Sequence, residues 1–279
     1  MRFKVEIRPD GENIWLAGEG HLADKTVIMG APRSGKSTFL KLLYSLLVEY
    51  DDESHTVAKD VASHVLEGGG FIELAVEGMR LRCSAGREDA EPACSRDGVS
   101  RSEPVYLFYE GFELSIREGL RPQLYQNMMA RLDAFVAEQK IRGRYAILRS
   151  EGRWYEVFES RRIPLSNSSN AVAVVGYLER AARLERGWLL IDGVLDQLYP
   201  EDALYAAAQL LTSRGKVVVT THSPWVKDLF LCYPSTLRLA GLDAAQRIDV
   251  IAYEVVKGGF MKIDYSSYGD IYSKLYGGC

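Results

Sequence analysis

The chain has 279 residues, of which 47% are hydrophobic and 26% are charged, and its formal net charge is −4. This length suits one large α/β domain or two modest ones, and the composition is ordinary for a soluble globular protein. The slightly negative charge gives no overall attraction to nucleic acid, and no apolar run reaches the roughly 18–20 residues that would span a bilayer.

The first fifty residues are predicted to form three strands and a helix. Residues 3–8 and 13–17 alternate as strands around the turn sequence PDGE. They include no apolar signal core, so we expect a cytoplasmic protein. Residues 25–29 are a short apolar run that ends at Gly30, and residues 36–49 carry apolar side chains at helical spacing. The glycine-rich stretch between them is therefore expected to join a buried strand to a helix.

The segment from about 51 to 149 is less regular. VAKDVASHVL predicts a helix, FIELAVEGMRLRC predicts a hairpin that turns at Glu77-Gly78, and the polar residues 84–104 predict an exposed loop. A strand is expected at 105–110. A helix is expected over 121–141, with an apolar stripe of a kind that belongs to a core more often than to a partner-binding face. The stripe consists of Leu124, Met128, Leu132, Phe135 and Val136.

The chain has four cysteines, and none forms a CxxC pair, which argues against a zinc site. Cys83 and Cys94 flank the polar stretch. Free thiols are the expectation for a cytosolic protein, and a disulfide between these two cysteines is the alternative.

The C-terminal half alternates strands with helices. A hairpin is predicted around Glu151-Gly152, and a helix follows the polar run SNSSN. GWLLID and KVVVTTHSP are apolar runs typical of doubly buried parallel strands, and a last hairpin turns at Gly258-Gly259. Six arginines near the first of these hairpins suit either a basic ridge for nucleic acid or, as we favour, a solvated face. They are Arg142, Arg144, Arg149, Arg153, Arg161 and Arg162.

The stretch GAPRSGKST fits G-x-x-x-x-G-K-[ST], the pattern of a loop that binds nucleotide phosphates. The two glycines allow a backbone whose N–H groups point inward, and the following helix directs its positive end to the same point. Lys36 can reach the β- and γ-phosphates, and Ser37 can bind Mg²⁺. The alternative is a plain turn. The predicted phosphate-binding residues are Gly30, Ala31, Pro32, Arg33, Ser34, Gly35, Lys36, Ser37 and Thr38.

Two further side chains complete the predicted site. Asp192 ends the run WLLID, and a strand placed beside the loop strand would bring its carboxylate to the magnesium ion. His222 follows the strand VVVTT, where an imidazole N–H can donate to a γ-phosphate oxygen. A core histidine is the alternative for His222. Lys36, Asp192 and His222 are the predicted catalytic residues, and Ser37 and Asp192 are the predicted metal ligands.

The stretches LSNSSN, GWLLIDGVLDQLYPEDALYAAAQLL and KVVVTTHSPWVKDLF resemble the C-terminal half of ABC-type ATPases of the chromosome-maintenance and recombination-repair branch. The likeness is to stand-alone predicted ATPases related to the overcoming-lysogenization-defect proteins, and it covers residues 1–48 and 160–230. It implies an α/β P-loop NTPase fold with a mixed, mainly parallel sheet and antiparallel strands from both ends of the chain. A single domain, 1–279, would consist of about 1–50 and 150–279, with an inserted helical and hairpin arm at about 51–149.

The resemblance also implies ATP and Mg²⁺ as ligands and an ATP-dependent homodimer in which two domains enclose two nucleotides. Ser166, Ser168 and Ser169 lie where the family's signature contacts the γ-phosphate held by the partner subunit. A protein partner would bind through the inserted arm. Gln123 and Gln126 are candidates, by their order in the chain, for the glutamine that senses the γ-phosphate. DNA repair, genome maintenance and defence are the implied roles.

The sequence departs from this family at functional positions. Gly193 stands where the catalytic glutamate is expected, Val194 replaces a proline, and Asn170 replaces the signature glycine. In the loop, Pro32 and Arg33 replace the usual Asn-Gly. Because a general base contributes about 10²–10⁴ in rate, we expect ATP–Mg²⁺ binding with weak hydrolysis.

Three alternatives stay open. Asp196 or Glu110 would act as a substitute base in a weak ATPase. A non-hydrolysing ATP-binding switch is the second hypothesis. A small-molecule kinase or a GTPase is the least favoured, because the sequence has no guanine-reading N/T-K-x-D.

Overall fold

The computed structural model describes residues 1–10, 15–49, 52–86, 91–98, 103–109, 126–139, 143–243 and 247–263, with 52–54 and 126–129 described by their backbone alone. Its strands are β1 (Arg2–Pro9), β2 (Leu16–His21), β3 (Lys25–Gly30), β4 (Gly70–Val76), β5 (Met79–Ala85), β6 (Ala93–Asp97), β7 (Val105–Phe108), β8 (Ile147–Ser150), β9 (Arg153–Phe158), β10 (Arg161–Pro164), β11 (Trp188–Asp192), β12 (Lys216–Thr221), β13 (Val250–Val256) and β14 (Gly259–Lys262). Its α-helices are α1 (Lys36–Leu47), α2 (Asp52–Val65), α3 (Gln126–Glu138), α4 (Asn170–Ala181), α5 (Pro200–Thr212), α6 (Pro224–Leu231) and α7 (Tyr233–Leu239). Short 3-10 helices lie at Leu165–Asn167 and Val194–Gln197.

Within these residues, eleven strands form one mixed sheet in the order β6-β5-β4-β1-β2-β14-β13-β3-β12-β11-β7, and β10-β9-β8 form a small antiparallel sheet. The neighbours β13, β3, β12, β11 and β7 run parallel. The strands β1, β2, β4, β5 and β6 pair antiparallel on one side, and β13 and β14 form the predicted C-terminal hairpin. The predicted α/β class with a mixed sheet is confirmed.

The parallel strands β3, β12 and β11 form the centre of the core. Every residue of β11 is buried, as are five of the six residues of β12, which is what their unbroken apolar runs predict. The strand order corrects one prediction. β12 pairs with both β3 and β11, so the strand that carries Asp192 lies one strand away from the loop strand rather than directly beside it.

The segment predicted as an inserted arm, about 51–149, contributes to the body of the domain. Its strands β4, β5 and β6 form one edge of the large sheet, and β7 forms the opposite edge. The alternating side chains Ile72, Leu74 and Val76 of β4 are fully buried. Within the described residues, this segment is therefore not one projecting unit, because its apolar strands need the main sheet to bury them.

A strand and a disulfide replace the loop and the free thiols that were expected around residues 84–104. β6 pairs with β5 in a register that places Cys94 opposite Cys83, and the two sulfurs are bonded at 2.04 Å. Arg96 on β6 donates to the backbone oxygen of Val48 at 2.5 Å. Residues that face each other across an antiparallel pair are close enough for a disulfide, so the strand pairing accounts for the bond.

Removing this disulfide is expected to lower the free energy of unfolding by about 2–3 kcal/mol, because the bond closes a loop of about a dozen residues in the unfolded chain. The double variant Cys83→Ser/Cys94→Ser would show this against the unmodified chain in urea titrations followed by circular dichroism. Equal midpoints for the two proteins would contradict the disulfide.

The small sheet and α3 are joined through a buried carboxylate. Asp133 of α3 accepts hydrogen bonds from the Trp154 indole at 2.6 Å and the Tyr177 hydroxyl at 2.7 Å, and it pairs with Arg149 at 2.8 Å. Leu132 and Val136, both in the predicted apolar stripe, are fully buried, which confirms a core role for them. The stripe residue Leu124 lies outside the described residues.

Two of the five clustered arginines that the structure describes are ion-paired. Arg149 pairs with Asp133, and Arg144 lies 3.1 Å from Asp202. Arg153, Arg161 and Arg162 are exposed. Arg142 lies outside the described residues. These ion pairs reduce the positive charge that the cluster presents, and the choice between a basic ridge and a solvated face stays a prediction.

Lys25 is a buried cation at the start of β3. Its side chain is 2% exposed, and Nζ donates to the backbone oxygens of Ser213 and Gly215, each at 2.7 Å. These carbonyls follow the end of α5, where oxygens have no partners within the helix. Burial lowers the pKa of Lys25 from 10.5 to about 8, although nearby Asp24 opposes the shift.

The lowered pKa of Lys25 predicts a pH-dependent stability. The unfolded chain keeps this proton up to pH 10.5, and the folded chain releases it near pH 8, so the free energy of unfolding rises with pH across that window. From pH 7.5 to 9.5 the gain amounts to about 2 kcal/mol. Urea titrations of the wild type and Lys25→Met at both pH values would show how much of this gain in the free energy of unfolding comes from Lys25. Lys4→Met, at an exposed position, is the control. Parallel pH profiles for wild type and Lys25→Met would refute the shift.

Candidate functional site

The loop between β3 and α1 has the backbone that its glycines predict. Gly35 has a left-handed backbone, with φ of 91°, and is the N-cap of α1. Because it has no side chain, it makes no capping hydrogen bond to the first N–H groups of the helix. Arg33 is also left-handed, with φ of 63°. At Gly30, a β-carbon would lie 2.8 Å from the Ser34 hydroxyl, so the loop folds too tightly for a side chain there. Free N–H groups at a helix start form a ready anion site.

The ammonium group of Lys36 lies over this loop. Its Nζ donates to the backbone oxygens of Gly30 and Ala31, both at 2.8 Å, and to the Ser34 hydroxyl at 3.2 Å. Burial lowers the pKa of Lys36, and the carboxylates of Asp192 and Asp196 oppose that shift. The positive charge is therefore held in the loop and lies within the electrostatic reach of both carboxylates.

Ser37 and Asp192 meet although they are 155 positions apart. The Ser37 hydroxyl donates to Oδ1 of Asp192 at 2.9 Å. The same oxygen accepts from the Thr220 hydroxyl at 2.6 Å, and the Asp192 side chain is buried. The intervening strand β12 thus supplies the group that anchors Asp192, and the carboxyl ends of β3, β12 and β11 form one site.

The residues of this site fit a nucleotide with Mg²⁺. A hydroxyl and a carboxylate oxygen are the ligand types that Mg²⁺ prefers, and Mg²⁺ keeps several waters instead of a full set of protein ligands. The uncapped loop and the Lys36 ammonium suit phosphate oxygens.

His222 follows β12 at the same edge of the sheet and is paired with Asp196. Its Nδ1 lies 2.8 Å from Oδ2 of Asp196, and its backbone N–H donates to that oxygen at 2.9 Å. The imidazole is 60% exposed, so the alternative of a core histidine is wrong. Asp196 was predicted only as a substitute base, and the pairing with His222 was not foreseen.

The three serines of the predicted signature lie at the start of α4. Ser169 caps this helix by accepting from the N–H of Val172 at 3.3 Å, and the buried Ser168 hydroxyl donates to the backbone oxygen of Pro164 at 3.5 Å. Ser166 is exposed. Their predicted contact is with a partner subunit, so it stays a prediction.

Other predicted residues lie outside the described part of the chain. Glu110 and Gln123 are among them, and the side chain of Gln126, at the start of α3, is not described. The choice of a γ-phosphate-sensing glutamine thus stays a prediction.

Sequence reasoning missed Trp15, Thr220 and Thr221. A β-carbon built on Gly35 would lie 3.6 Å from Cη2 of Trp15, so the indole flanks the loop where a base could stack. The threonines are visible in the motif TTHSP, where two hydroxyls end a buried strand beside the site. Trp15 gives no such signal, because its position depends on the pairing of β1 with β2.

No protein-family model matches the chain, and no curated protein is similar to it. Among solved structures, a crystal structure of the SmcHead bound to the C-winged helix domain of ScpA matches 93% of this chain and 96% of its own chain, with a TM-score of 0.54 and 11% identity. The fold is that of an SMC head domain. At this identity the likeness shows the fold alone.

Two other solved structures match with lower TM-scores. The SMC head domain from Thermotoga maritima is 16% identical, with a TM-score of 0.47, and covers 95% of this chain and 100% of that one. A dimeric ATP-binding cassette bound to ADP and Pi is 12% identical, with a TM-score of 0.45, and covers 95% and 99%.

No helix in the described residues combines the length and apolar character needed to cross a membrane.

Proposed function

We propose that this chain is an ABC-type ATP-binding domain that holds ATP with Mg²⁺ at the carboxyl ends of β3, β12 and β11. The observation that carries the proposal is the hydrogen bond between Ser37 and Asp192, 2.9 Å long across 155 positions. It unites the loop and the acidic strand end, which are separate motifs in the sequence. A plain turn after β3 has no need of a buried carboxylate from β11, which is separated from β3 by β12.

Each group of the site has a defined task in this proposal. The backbone N–H groups of Arg33, Gly35 and Lys36 and the Lys36 ammonium bind the phosphates. Ser37 and Asp192 hold the metal. The metal, when bound, neutralises charge on the phosphate oxygens. Trp15 offers an aromatic face beside the loop.

The proposal includes an ATP-dependent homodimer. In it, Ser166, Ser168 and Ser169 contact the γ-phosphate held by the partner subunit, and the positive end of α4 adds to that attraction. The neighbour SmcHead binds the winged-helix domain of ScpA, and a dimeric cassette with ADP and Pi is among the weaker matches. The proposal also includes a protein partner for this chain and a role in DNA repair, genome maintenance or defence.

Weak hydrolysis is the form of activity we infer, and a non-hydrolysing switch is the second candidate. One observation favours the switch. Gly193 follows Asp192 in a left-handed turn, with φ of 67°, and has no side chain to polarise water. Binding does not depend on that position, because it rests on the loop amides, Lys36 and the metal ligands.

Calorimetry with the full chain tests the proposed function. We expect ATP with Mg²⁺ to bind and to do so more weakly when Mg²⁺ is chelated, while AMP, which lacks the β- and γ-phosphates, shows no heat. GTP in place of ATP tests the less favoured GTPase. Light scattering with and without ATP–Mg²⁺ tests the dimer. No heat with any triphosphate, with or without metal, would refute the proposal.

A further inference from the structure

Asp196 is a buried carboxylate at the edge of the proposed nucleotide site, and three polar groups from the end of β12 converge on it. Its side chain is 2% exposed. It accepts hydrogen bonds from the Thr221 hydroxyl and from the backbone N–H of His222 at 2.9 Å, and Nδ1 of the same imidazole lies 2.8 Å from its Oδ2. These bonds hold the carboxylate and the imidazole in one orientation.

This geometry favours one tautomer of the imidazole. A carboxylate oxygen accepts hydrogen bonds, so the tautomer with its proton on the Nδ1 that faces Asp196 is the one that can donate to it. A neutral His222 then has its lone pair on Nε2, at the far side of the ring. Because the imidazole is 60% exposed and Asp196 is buried, the ring projects from the buried carboxylate into solvent.

The pair is joined to the metal ligands through consecutive residues of one strand. Thr220 donates to Asp192 at 2.6 Å, and Thr221 donates to Asp196. Gly193 makes this possible, because its left-handed turn brings the chain back against β12, where its N–H donates to the Thr220 oxygen at 3.1 Å. Gly193, which stands at the expected position of the catalytic base, thus creates the turn that buries the carboxylate of Asp196.

Resting on the proposed function, we propose that Asp196 is a positioning residue that holds His222 with Nδ1 protonated, so that Nε2 accepts a proton from the water that attacks ATP. In this step the water oxygen forms a bond to the γ-phosphorus. The bond from that phosphorus to the β–γ bridging oxygen breaks, and its electron pair leaves with ADP. The proton passes from water to Nε2 and then to solvent. The pair takes the place of the glutamate missing at Gly193.

Two readouts test this role in the full chain. In ¹⁵N spectra of the imidazoles, assigned with His222→Gln, the wild type should show a protonated Nδ1 and an unprotonated Nε2 at His222. Asp196→Ala should move His222 toward the Nε2–H form that free histidine favours. Its ATP turnover should fall about 10²-fold or more, to the level of His222→Gln, while its affinity for ATP stays within about threefold of the wild type.

Further variants keep the test decisive. The double variant Asp196→Ala/His222→Gln should be no slower than either single variant, because the two residues act as one unit. Should Asp196→Ala fail to fold, Asp196→Asn keeps an acceptor for Nδ1 and should retain the tautomer with intermediate turnover. Asp60→Ala is the matched control. It removes an exposed His–Asp pair, in which Nδ1 of His64 lies 3.7 Å from Asp60, and should leave His222 and turnover unchanged.

Several results would overturn the inference. They are an Nε2–H tautomer in the wild type, full turnover in Asp196→Ala, and a wild type that binds ATP without turnover above Lys36→Ala. A turnover rate that rises as the pH falls would also overturn it. Such a profile would mean that His222 acts as an imidazolium that donates to phosphate, near the charges of Asp192, Asp196 and Lys36. A chain that binds no ATP refutes the proposed function instead, and the tautomer, measured without nucleotide, still tests the pair.

Discussion

Lys36→Ala is expected to weaken ATP–Mg²⁺ binding by at least about 10²-fold. The ammonium lies over the loop and is held there by Gly30, Ala31 and Ser34. When ATP binds, the ammonium donates to phosphate oxygens instead. Two charge-assisted hydrogen bonds of this kind contribute about 3 kcal/mol or more, which corresponds to a factor of about 10² in affinity. Calorimetric titration of ATP–Mg²⁺ into both proteins measures the effect.

A matched control for this variant is Lys41→Ala, which removes another lysine from the same helix. It should bind ATP like the wild type, because Lys41 is more than one turn away from the loop. Lys36→Ala must also be shown to be folded, since it removes three hydrogen bonds from the loop. A folded Lys36→Ala protein with wild-type affinity would exclude the loop as the phosphate site.

Gly193→Glu is expected to increase ATP turnover, up to the 10²–10⁴-fold that a general base typically contributes. The new carboxylate follows Asp192 directly, at the position that the resemblance assigns to the catalytic base. The gain has a cost, because Gly193 is left-handed and a glutamate there loses about 1–2 kcal/mol of stability. Steady-state phosphate release and a thermal melt measure the two effects.

Gly193→Gln is the control for the glutamate variant. It has the same shape and the same backbone strain but no basic oxygen, so it should melt like Gly193→Glu without the gain in turnover. The size of the gain also reports how far the His222–Asp196 pair falls short of a carboxylate base. Equal turnover in the Glu and Gln variants would contradict the explanation of weak hydrolysis by the missing glutamate.

The hairpins and buried strands were predictable because their signals are local. The turn at Glu77-Gly78 joins β4 and β5 as expected, and WLLID forms the fully buried β11. The exposed loop predicted at 84–104 was wrong in part, because β6 is held by its register with β5 and by the Cys83–Cys94 bond. Its own pattern of side chains is polar, and half-buried edge strands of this kind give little periodic signal.

The sequence by itself determined the strand–loop–helix unit around Lys36, since residue spacing within about twenty positions specifies a glycine turn and a helix start. It also determined that Asp192 and His222 end buried strands. Only the tertiary structure decided that β12 lies between β3 and β11, that Thr220 and Thr221 anchor two carboxylates, and that Asp196 orients His222. Those arrangements depend on which strands become neighbours, and contacts between distant residues leave no periodicity in one chain to reveal them.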